Sequence, residues 1–265
     1  MDEKKLYEIT KEMLKRKSNL LVGNEDIRSE LEEIIKLILS NEGNKEELNF
    51  LDINGNILLY GQPGFGKTSI IYEQMLRAKN DKFETYHLNI ASLISEKMGK
   101  TAKAIDDFFK GLIEESKEYK IILLIEEIEV FLPNREGKDH DDMKRALTIF
   151  MHYMDNPINN LIIFCTTNYK DNLDKAILRR FAFVYEIKSI TSEMIIQFFN
   201  HKQNPFEKDL NEQEKEKLAK SMTDKQFSFA DIKSVLRKTY LKHNFKLTYE
   251  NINKELENGN KCNVS

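Results

Sequence analysis

Gly61-Gln62-Pro63-Gly64-Phe65-Gly66-Lys67-Thr68 is the stretch of sequence that decides the fold. It has the form Gly-x-x-x-x-Gly-Lys-Thr of a phosphate-binding loop, or P-loop. The short, mostly apolar run Asn56–Tyr60 before it is typical of a buried strand, and Ser69–Lys79 after it has the apolar spacing of a helix. In that context the glycines let backbone N–H groups surround a polyphosphate at the positive end of the helix dipole. The pattern therefore favours a nucleotide-binding α/β protein over a simple glycine-rich turn.

The polar residues of this loop have expected tasks in binding a nucleoside triphosphate. Lys67 is expected to reach the β- and γ-phosphates, and the Thr68 hydroxyl to ligate Mg²⁺. Pro63 stiffens a loop that must already be shaped when the nucleotide arrives. The predicted nucleotide-binding residues of the loop are Gln62, Pro63, Gly64, Phe65, Gly66, Lys67, Thr68 and Ser69.

The composition is that of an ordinary soluble globular protein. The chain has 265 residues, of which 40% are hydrophobic and 32% charged, and its net charge of −3 gives no general reason to expect nucleic-acid binding. Its two cysteines, Cys165 and Cys262, have no disulfide or metal spacing, which fits a reducing cytosol. No apolar run approaches membrane-spanning length, and the acidic, lysine-rich start is no signal peptide. We therefore expect a cytoplasmic protein that does not act at a membrane.

Strands and helices alternate over the first two thirds of the chain. Further strands are expected at 82–88, 121–125, 161–165 and 183–187. Those at 121–125 and 161–165 are apolar throughout, which is typical of a parallel sheet covered on both faces. From Ser189 onward only helices are predicted, at 192–203, 211–222, 229–243 and 248–257. The expected domains are an N-terminal helix or tail (1–18), an α/β core (19–188), a helical lid (189–257) and a disordered tail (258–265). For residues 1–18, a docked amphipathic helix and a frayed, solvated start are both open.

Three further groups of residues fit the chemistry of a P-loop enzyme. At the end of one predicted strand, Glu126 can hold the Mg²⁺ shell and Glu127 can orient or deprotonate the attacking water. The amide of Asn168, after another strand, can position that water or contact the γ-phosphate. Arg179 and Arg180 are candidates for an arginine that reaches into a neighbouring subunit's site and neutralises charge on the γ-phosphate. A basic surface pair is the alternative for the two arginines.

In their order along the chain these motifs resemble those of an AAA+ ATPase of the AAA subfamily, over roughly residues 20–255. Gly61–Thr68 is similar to Walker A, 121–127 to Walker B, Asn168 to sensor 1, and 173–181 to the second region of homology with its two arginine fingers. The resemblance implies a P-loop parallel sheet flanked by helices and followed by a small all-helical lid. It also implies ATP or ADP and Mg²⁺ as ligands, and a homo-oligomer, expected to be a hexamer, with arginine fingers acting in trans.

The resemblance also marks residues on either side of the P-loop. Gln226–Ile232 resembles the family's lid motif, which places Phe229 and Ala230 beside the nucleotide. Val22 and Gly23 fall where the family's backbone holds adenine. His201 falls near a lid histidine that touches the nucleoside in many members, although a lone histidine there is otherwise more often a surface residue.

Several positions depart from the family pattern. Glu126 replaces the usual aspartate of Walker B, Gln62 and Phe65 replace the usual Pro and Thr of Walker A, and Phe229 replaces a lid glycine. The extra methylene of Glu126 pushes the carboxylate toward the metal shell, and Phe229 should crowd the nucleotide or tighten lid closure. The predicted first pore loop contains Lys97, Met98 and Gly99, with Lys97 where an aromatic residue usually grips a threaded polypeptide. An ordinary polar loop is the alternative there.

Three functions fit this pattern. The favoured hypothesis is a motor in which Mg-ATP hydrolysis drives remodelling or unfolding of a partner protein. The partner is a protein substrate or a separately encoded effector such as a protease. The second hypothesis is a module that ATP assembles to recruit a partner, with slow hydrolysis; Glu126 and Lys97 motivate it. A DNA loader or initiator is the third, and the acidic net charge argues against nucleic acid as a partner.

Overall fold

The computed structural model describes residues 6–18, 21–39, 45–80, 83–88, 90–93, 100–131, 140–156 and 158–258. The predicted pore-loop residues Lys97, Met98 and Gly99 lie outside these described residues, as do residues 132–139 and those from 259 onward. No helix in the described part of the chain combines the length and the apolar character needed to cross a membrane.

One six-stranded sheet forms the centre of the α/β part. Its order is β1-β3-β4-β5-β2-β6. β2 to β6 run parallel, and β1 pairs antiparallel with β3 at one edge. The strands are β1 Leu6–Glu8, β2 Asn56–Tyr60, β3 Glu84–Leu88, β4 Ile121–Ile125, β5 Leu161–Thr167 and β6 Phe183–Glu186.

Eleven α-helices connect or follow these strands within the described residues. They are α1 Lys11–Lys17, α2 Glu25–Leu39, α3 Lys45–Phe50, α4 Lys67–Asn80, α5 Lys100–Glu115, α6 His140–Asp155, α7 Lys175–Leu178, α8 Ser192–Phe199, α9 Glu212–Asp224, α10 Phe229–Lys242 and α11 Tyr249–Asn258. The four predicted C-terminal helices are present, with ends shifted by a few residues.

The chain divides into two compact units. The first unit consists of Met1–Lys17, Asp26–Gly61 and Lys67–Glu186, and the second of Ser18–Glu25, Gln62–Gly66 and Ile187–Ser265. The domain ranges expected from the sequence remain a prediction.

Apolar strands explain the core of the first unit. All five residues of β4 are buried, as are all seven of β5, because a parallel sheet of this kind is covered on both faces. On one face α5 packs against α6, where the ring of Phe109 lies 4.7 Å from that of Tyr153 and 5.9 Å from that of Phe150. Cys165 is buried in the same core, as its apolar surroundings predict.

The N-terminal residues form a strand and a helix. β1 covers the edge of the sheet at β3, and the pairing continues through the Ile9 N–H, which donates to the Thr85 carbonyl at 3.0 Å. α1 follows, with Leu14 fully buried, and packs against α4. Pairing satisfies backbone groups that an edge strand would otherwise leave exposed. The sequence prediction allowed for the helix but not for the strand.

The second unit is built from α8 to α11 around its own apolar core. Ile195, Leu218 and Ile252 are fully buried there. Side chains cap three of the helices: Thr191 caps α8, Asn211 caps α9 and Ser228 caps α10. Such caps satisfy the N–H groups that have no partner within a helix.

Candidate functional site

The candidate site begins where three parallel strands end. β2 runs into the P-loop, β4 ends just before Glu126, and β5 ends just before Asn168. These strands are neighbours in the order β4-β5-β2, so their carboxyl ends meet at one edge of the sheet. Ligands of open α/β sheets bind at that edge.

The buried ammonium of Lys67 is the centre of this cluster. Lys67 is only 7% exposed, and its Nζ donates at 2.7 Å to the Gly61 carbonyl and at 2.7 Å to Asn168 Oδ1. Burial lowers the pKa of Lys67 below its ordinary value, although nearby carboxylates, led by Glu129, oppose that shift. The structure therefore brings together two residues that the sequence assigned to the γ-phosphate.

The predicted metal ligands are also in contact. The Thr68 hydroxyl donates to Glu126 Oε1 at 2.6 Å, and Nε2 of His87 lies 2.9 Å from Glu126 Oε2. Burial by itself would raise the pKa of Glu126, but the hydrogen bonds from His87 and Thr68 and the nearby positive charge lower it below its usual value. Both oxygens of this carboxylate are thus engaged.

The oxygen donors fit Mg²⁺. Within the described residues no group of three or more His, Cys, Asp or Glu side chains is arranged to hold a metal ion. Mg²⁺ does not need such a cage, because it binds through one or two carboxylates together with waters and substrate phosphates. The hydroxyl of Thr68 and the carboxylate of Glu126 are donors of that kind.

Glu127 has an unusual backbone and an exposed side chain. Its φ of 55° lies in the left-handed region, where a residue with a side chain is strained. The turn is held by its N–H, which donates to Thr166 Oγ1 at 3.3 Å. The exposed carboxylate is accessible to a water molecule.

Glu129, two residues beyond Glu127, is a further residue of the site. Its Oε1 accepts from the backbone N–H of Asn168 at 3.0 Å. Its Oε2 is buried and has no hydrogen-bond partner among the described residues. Glu129 therefore fixes the backbone that carries the Asn168 amide, and its place two residues after Glu127 was the available signal.

The two arginines differ in their surroundings. Arg179 is exposed at the end of α7. Arg180 makes contacts within its own chain: its Nη2 lies 2.8 Å from Asp155 Oδ2, and its Nη1 donates to the Ala176 carbonyl. Their predicted action in trans remains a prediction.

In the second unit, the P-loop segment Gln62–Gly66 approaches the start of α10. Gly64 has a φ of 78°, and a Cβ on it would lie 2.6 Å from Ser228 Oγ, so only glycine fits there. Phe65 and Phe229 are half-buried and pack against the apolar core of this unit. The ring of Phe229 lies 5.7 Å from that of Phe198, whereas Ala230 is exposed.

A pocket of about 570 Å³ lies in the second unit and includes two predicted nucleoside-binding residues. Gly23, next to Val22 of the pocket wall, has a φ of 75°, and a Cβ there would lie 2.5 Å from Met194 Cε. Nδ1 of His201 accepts from the Gln203 N–H at 3.2 Å, which leaves Nε2 as the proton-bearing nitrogen of a neutral ring. The pocket is lined by Leu21, Val22, Glu25, Gln197, Asn200, His201, Lys202 and Gln203.

One wall residue of this pocket is fixed from behind. Lys215 is buried, and its Nζ donates to Asn200 Oδ1 at 2.6 Å and to Glu212 Oε1 at 2.9 Å. Nδ2 of Asn200 donates to the second Glu212 oxygen at 3.1 Å. Sequence reasoning missed Asn200 and Lys215, because no motif marks them and only the neighbouring His201 pointed to this region.

Comparisons with known proteins identify a matching family and several relatives of this chain. Residues 57–189 match the model of the ATPase family associated with various cellular activities (AAA). The chain is 30% identical over 236 residues to the proteasome-activating nucleotidase of Methanococcus vannielii, covering 84% of this chain and 54% of that protein. It is 31% identical over 157 residues to CD-NTase-associated protein 6 of Pseudomonas aeruginosa, covering 54% of this chain and 51% of that protein.

A solved structure shows the same fold along nearly the whole chain. It is a chain of the E. coli MS115-1 HORMA:CdnC:Trip13 complex, with a TM-score of 0.80 and 17% identity, covering 97% of this chain and 95% of that one. The curated relatives are longer, and the chain spans about half of their length.

Proposed function

Because the chain belongs to the AAA family of ATPases, we propose that it hydrolyses Mg-ATP to remodel a partner protein. The observation that carries the proposal is the cluster at the ends of β2, β4 and β5, where Lys67 contacts Asn168 and Thr68 contacts Glu126. The family and the fold set the reaction class, and this cluster supplies residues for each part of it.

The residues divide the work as follows. Lys67 binds the β- and γ-phosphates, which compete with the Asn168 amide for its ammonium. Thr68 and Glu126 hold Mg²⁺, which neutralises charge on the phosphate oxygens. Glu127 takes up a proton from, or orients, the attacking water, and its exposed carboxylate suits that role. Asn168 orients the water, with its backbone fixed by Glu129.

We further propose a homo-oligomer, a hexamer in its active form, in which Arg179 and Arg180 act on a neighbouring subunit's nucleotide. Arg179 is exposed and can reach another chain. Arg180 would either break its contact with Asp155 to reach the nucleotide or keep that contact while it binds. An arginine acting in trans is worth about 10³–10⁵ in rate in other nucleotide hydrolases.

The pocket of the second unit is proposed to hold the nucleoside. Its volume of about 570 Å³ lies within the range of small-molecule sites, and its wall combines apolar Leu21 and Val22 with the polar side chain of His201. His201→Ala should weaken ATP binding if this assignment is right. Lys208→Ala, which changes an exposed residue of the same unit outside the pocket wall, is the control and should leave ATP binding unchanged.

The partner is proposed to be a separately encoded protein in the cytoplasm. One relative is named as a CD-NTase-associated protein, and the solved neighbour is part of a complex with HORMA and CdnC. These names make a HORMA protein the first candidate partner to test, with a protease or another effector as alternatives. Fold likeness alone does not carry a partner from one protein to another.

The site assignment is tested by ATP turnover in Lys67→Ala, Glu127→Gln and Arg179→Ala/Arg180→Ala variants, with Asp155→Ala as the control for Arg180. We expect Lys67→Ala to lose binding, and Glu127→Gln to bind ATP but lose about 10²–10⁴ of the rate. Unchanged turnover in all three would refute the assignment. Mixing Lys67→Ala subunits with the double arginine variant should restore part of the activity only if the arginines act in trans.

A second function is favoured by one observation. Glu126 replaces the usual aspartate and is tied to both Thr68 and His87, which suits a site that holds nucleotide longer than it hydrolyses it. In that case ATP assembles the protein and recruits the partner, and hydrolysis only resets it. Assembly with ATP but negligible turnover, even with the partner present, would favour this function over remodelling.

A further inference from the structure

The second oxygen of the Glu126 carboxylate is held by a residue outside every predicted motif. Nε2 of His87 lies 2.9 Å from Glu126 Oε2, while Thr68 donates to Oε1 at 2.6 Å. His87 belongs to β3, the parallel neighbour of β4, and stands opposite Leu124 in the register. The carboxylate is therefore fixed from two elements at once.

A second anchor matters here because the residue is a glutamate. Glu126 has one more rotatable bond than the aspartate that the family usually carries, so a single hydrogen bond from Thr68 leaves more conformations open to its carboxylate. The contact with His87 removes that freedom. It does so on the oxygen that Thr68 does not use.

His87 is itself supported from behind. Its ring lies edge-on to the buried ring of Tyr72, with centroids 6.5 Å apart and an angle of 79° between the planes. The Tyr72 hydroxyl accepts from Lys17 Nζ at 3.1 Å, and the same Nζ lies 4.8 Å from the centre of that ring. Lys17 ends α1, which packs against α4, so the support reaches from the N-terminal helix to the carboxylate.

We propose that His87 is a positioning residue for the Glu126 carboxylate, and that it lets the longer glutamate serve as a metal ligand in one conformation. The proposal rests on the proposed binding of Mg-ATP. Residues that orient a metal ligand from outside the coordination shell contribute about 10–100-fold to metal affinity. A histidine that only fills space beside Tyr72 would contribute nothing to it.

The test follows the binding of a fluorescent ATP analogue to His87→Phe and His87→Gln as Mg²⁺ is added. Phenylalanine keeps a ring against Tyr72 but has no donor, whereas glutamine keeps an N–H donor. We expect His87→Phe to raise the half-saturating Mg²⁺ concentration by about tenfold and to leave ATP affinity without Mg²⁺ unchanged. His87→Gln should stay within about threefold of the unmodified protein. Because glutamine lacks the ring against Tyr72, a loss in His87→Gln as large as in His87→Phe would assign the effect to packing and overturn the proposal.

A double-mutant comparison separates positioning from general damage. In a Glu126→Ala background His87→Phe should have no further effect on the Mg²⁺ requirement, because the group that it positions is gone. An unchanged Mg²⁺ requirement in His87→Phe, or an equal loss in both backgrounds, would overturn the proposal. Lack of ATP turnover in the unmodified protein would count against the proposed function alone, since this titration measures binding.

Discussion

Lys67 Nζ and Asn168 Oδ1 are joined by a hydrogen bond of 2.7 Å. The amide that follows β5 thus binds the ammonium group of Lys67, the first residue of α4. The ammonium is buried, and that burial lowers its pKa. Its charged form therefore depends on the groups that contact it. A phosphate that engages Lys67 must compete with this amide.

The first prediction concerns the strength of that competition. Asn168→Asp puts a carboxylate beside the ammonium, and a charge-assisted pair is roughly twice as strong as a neutral hydrogen bond. We expect ATP affinity to fall by about tenfold, which corresponds to about 1.4 kcal/mol. In Asn168→Ala the competitor is removed, so affinity should be kept while turnover falls. Titration with a fluorescent nucleotide measures the affinity of both variants, and an ATPase assay measures their turnover. Equal affinities for the two variants would contradict the idea.

The second prediction concerns Glu129, whose Oε1 accepts from the Asn168 N–H at 3.0 Å. In Glu129→Ala this partly buried N–H loses its acceptor, so we expect the protein to lose about 1–3 kcal/mol of stability and the backbone at Asn168 to become more mobile. Amide exchange at Asn168, followed by NMR, should become faster, and turnover should fall with it.

Glu129→Gln is the matched control, because glutamine keeps an oxygen that can accept from Asn168. Its amide exchange at Asn168 should remain slow, although turnover is expected to fall with the loss of the negative charge beside Lys67. Fast exchange in both variants, or in neither, would show that Glu129 does not fix this backbone.

The third prediction concerns the entry into β2. A Cβ on Gly55 would lie 2.4 Å from the Leu161 carbonyl oxygen, and the backbone of β5 cannot move aside as a side chain can. We expect Gly55→Ala to destabilise the protein by about 1–3 kcal/mol. Gly111→Ala, inside α5, should instead stabilise it by about 0.5–1 kcal/mol, because glycine is costly in a helix. Urea unfolding measures both, and shifts of the same sign would contradict the prediction.

Much of the fold could be predicted because its signals are local. The P-loop and the apolar runs of β4 and β5 identified a parallel sheet with helices around it and helices after it. The family, this fold class and the ATPase class are confirmed. Each of these signals lies within a short stretch of sequence, so neighbouring residues are enough to detect it.

The parts that the sequence did not predict depend on contacts between distant residues. β1 has only three residues and exists because β3 offers an unpaired edge. His87 looks like any polar residue of a strand until β4 places Glu126 beside it. Asn200 can be recognised as a fixed wall residue only once the structure shows the buried Lys215 that donates to it. No spacing rule connects such pairs, so single-sequence reasoning cannot find them.

The last prediction concerns acid stability and the ion pair between α2 and α4. Arg28 Nε donates to Glu73 Oε2 at 2.7 Å, its Nη2 bonds the other oxygen, and Arg77 Nη2 adds a contact at 3.1 Å. Burial alone would raise the pKa of Glu73, but these hydrogen bonds and charges hold it below its ordinary value. An unfolded glutamate titrates near 4.3, so the protein gains stability from this pair above about that pH.

That gain must disappear as the pH falls through 4.3 and then through the lower folded-state pKa, because both states then carry the proton. Glu73→Gln should therefore cost about 1.5–3 kcal/mol at pH 7 and much less at pH 3, as measured by urea unfolding. Glu114→Gln makes the same change of charge in the exposed pair with Lys117 and should alter stability little at either pH. If the cost of Glu73→Gln were equal at both pH values, the ionised pair between the two helices would not be its source.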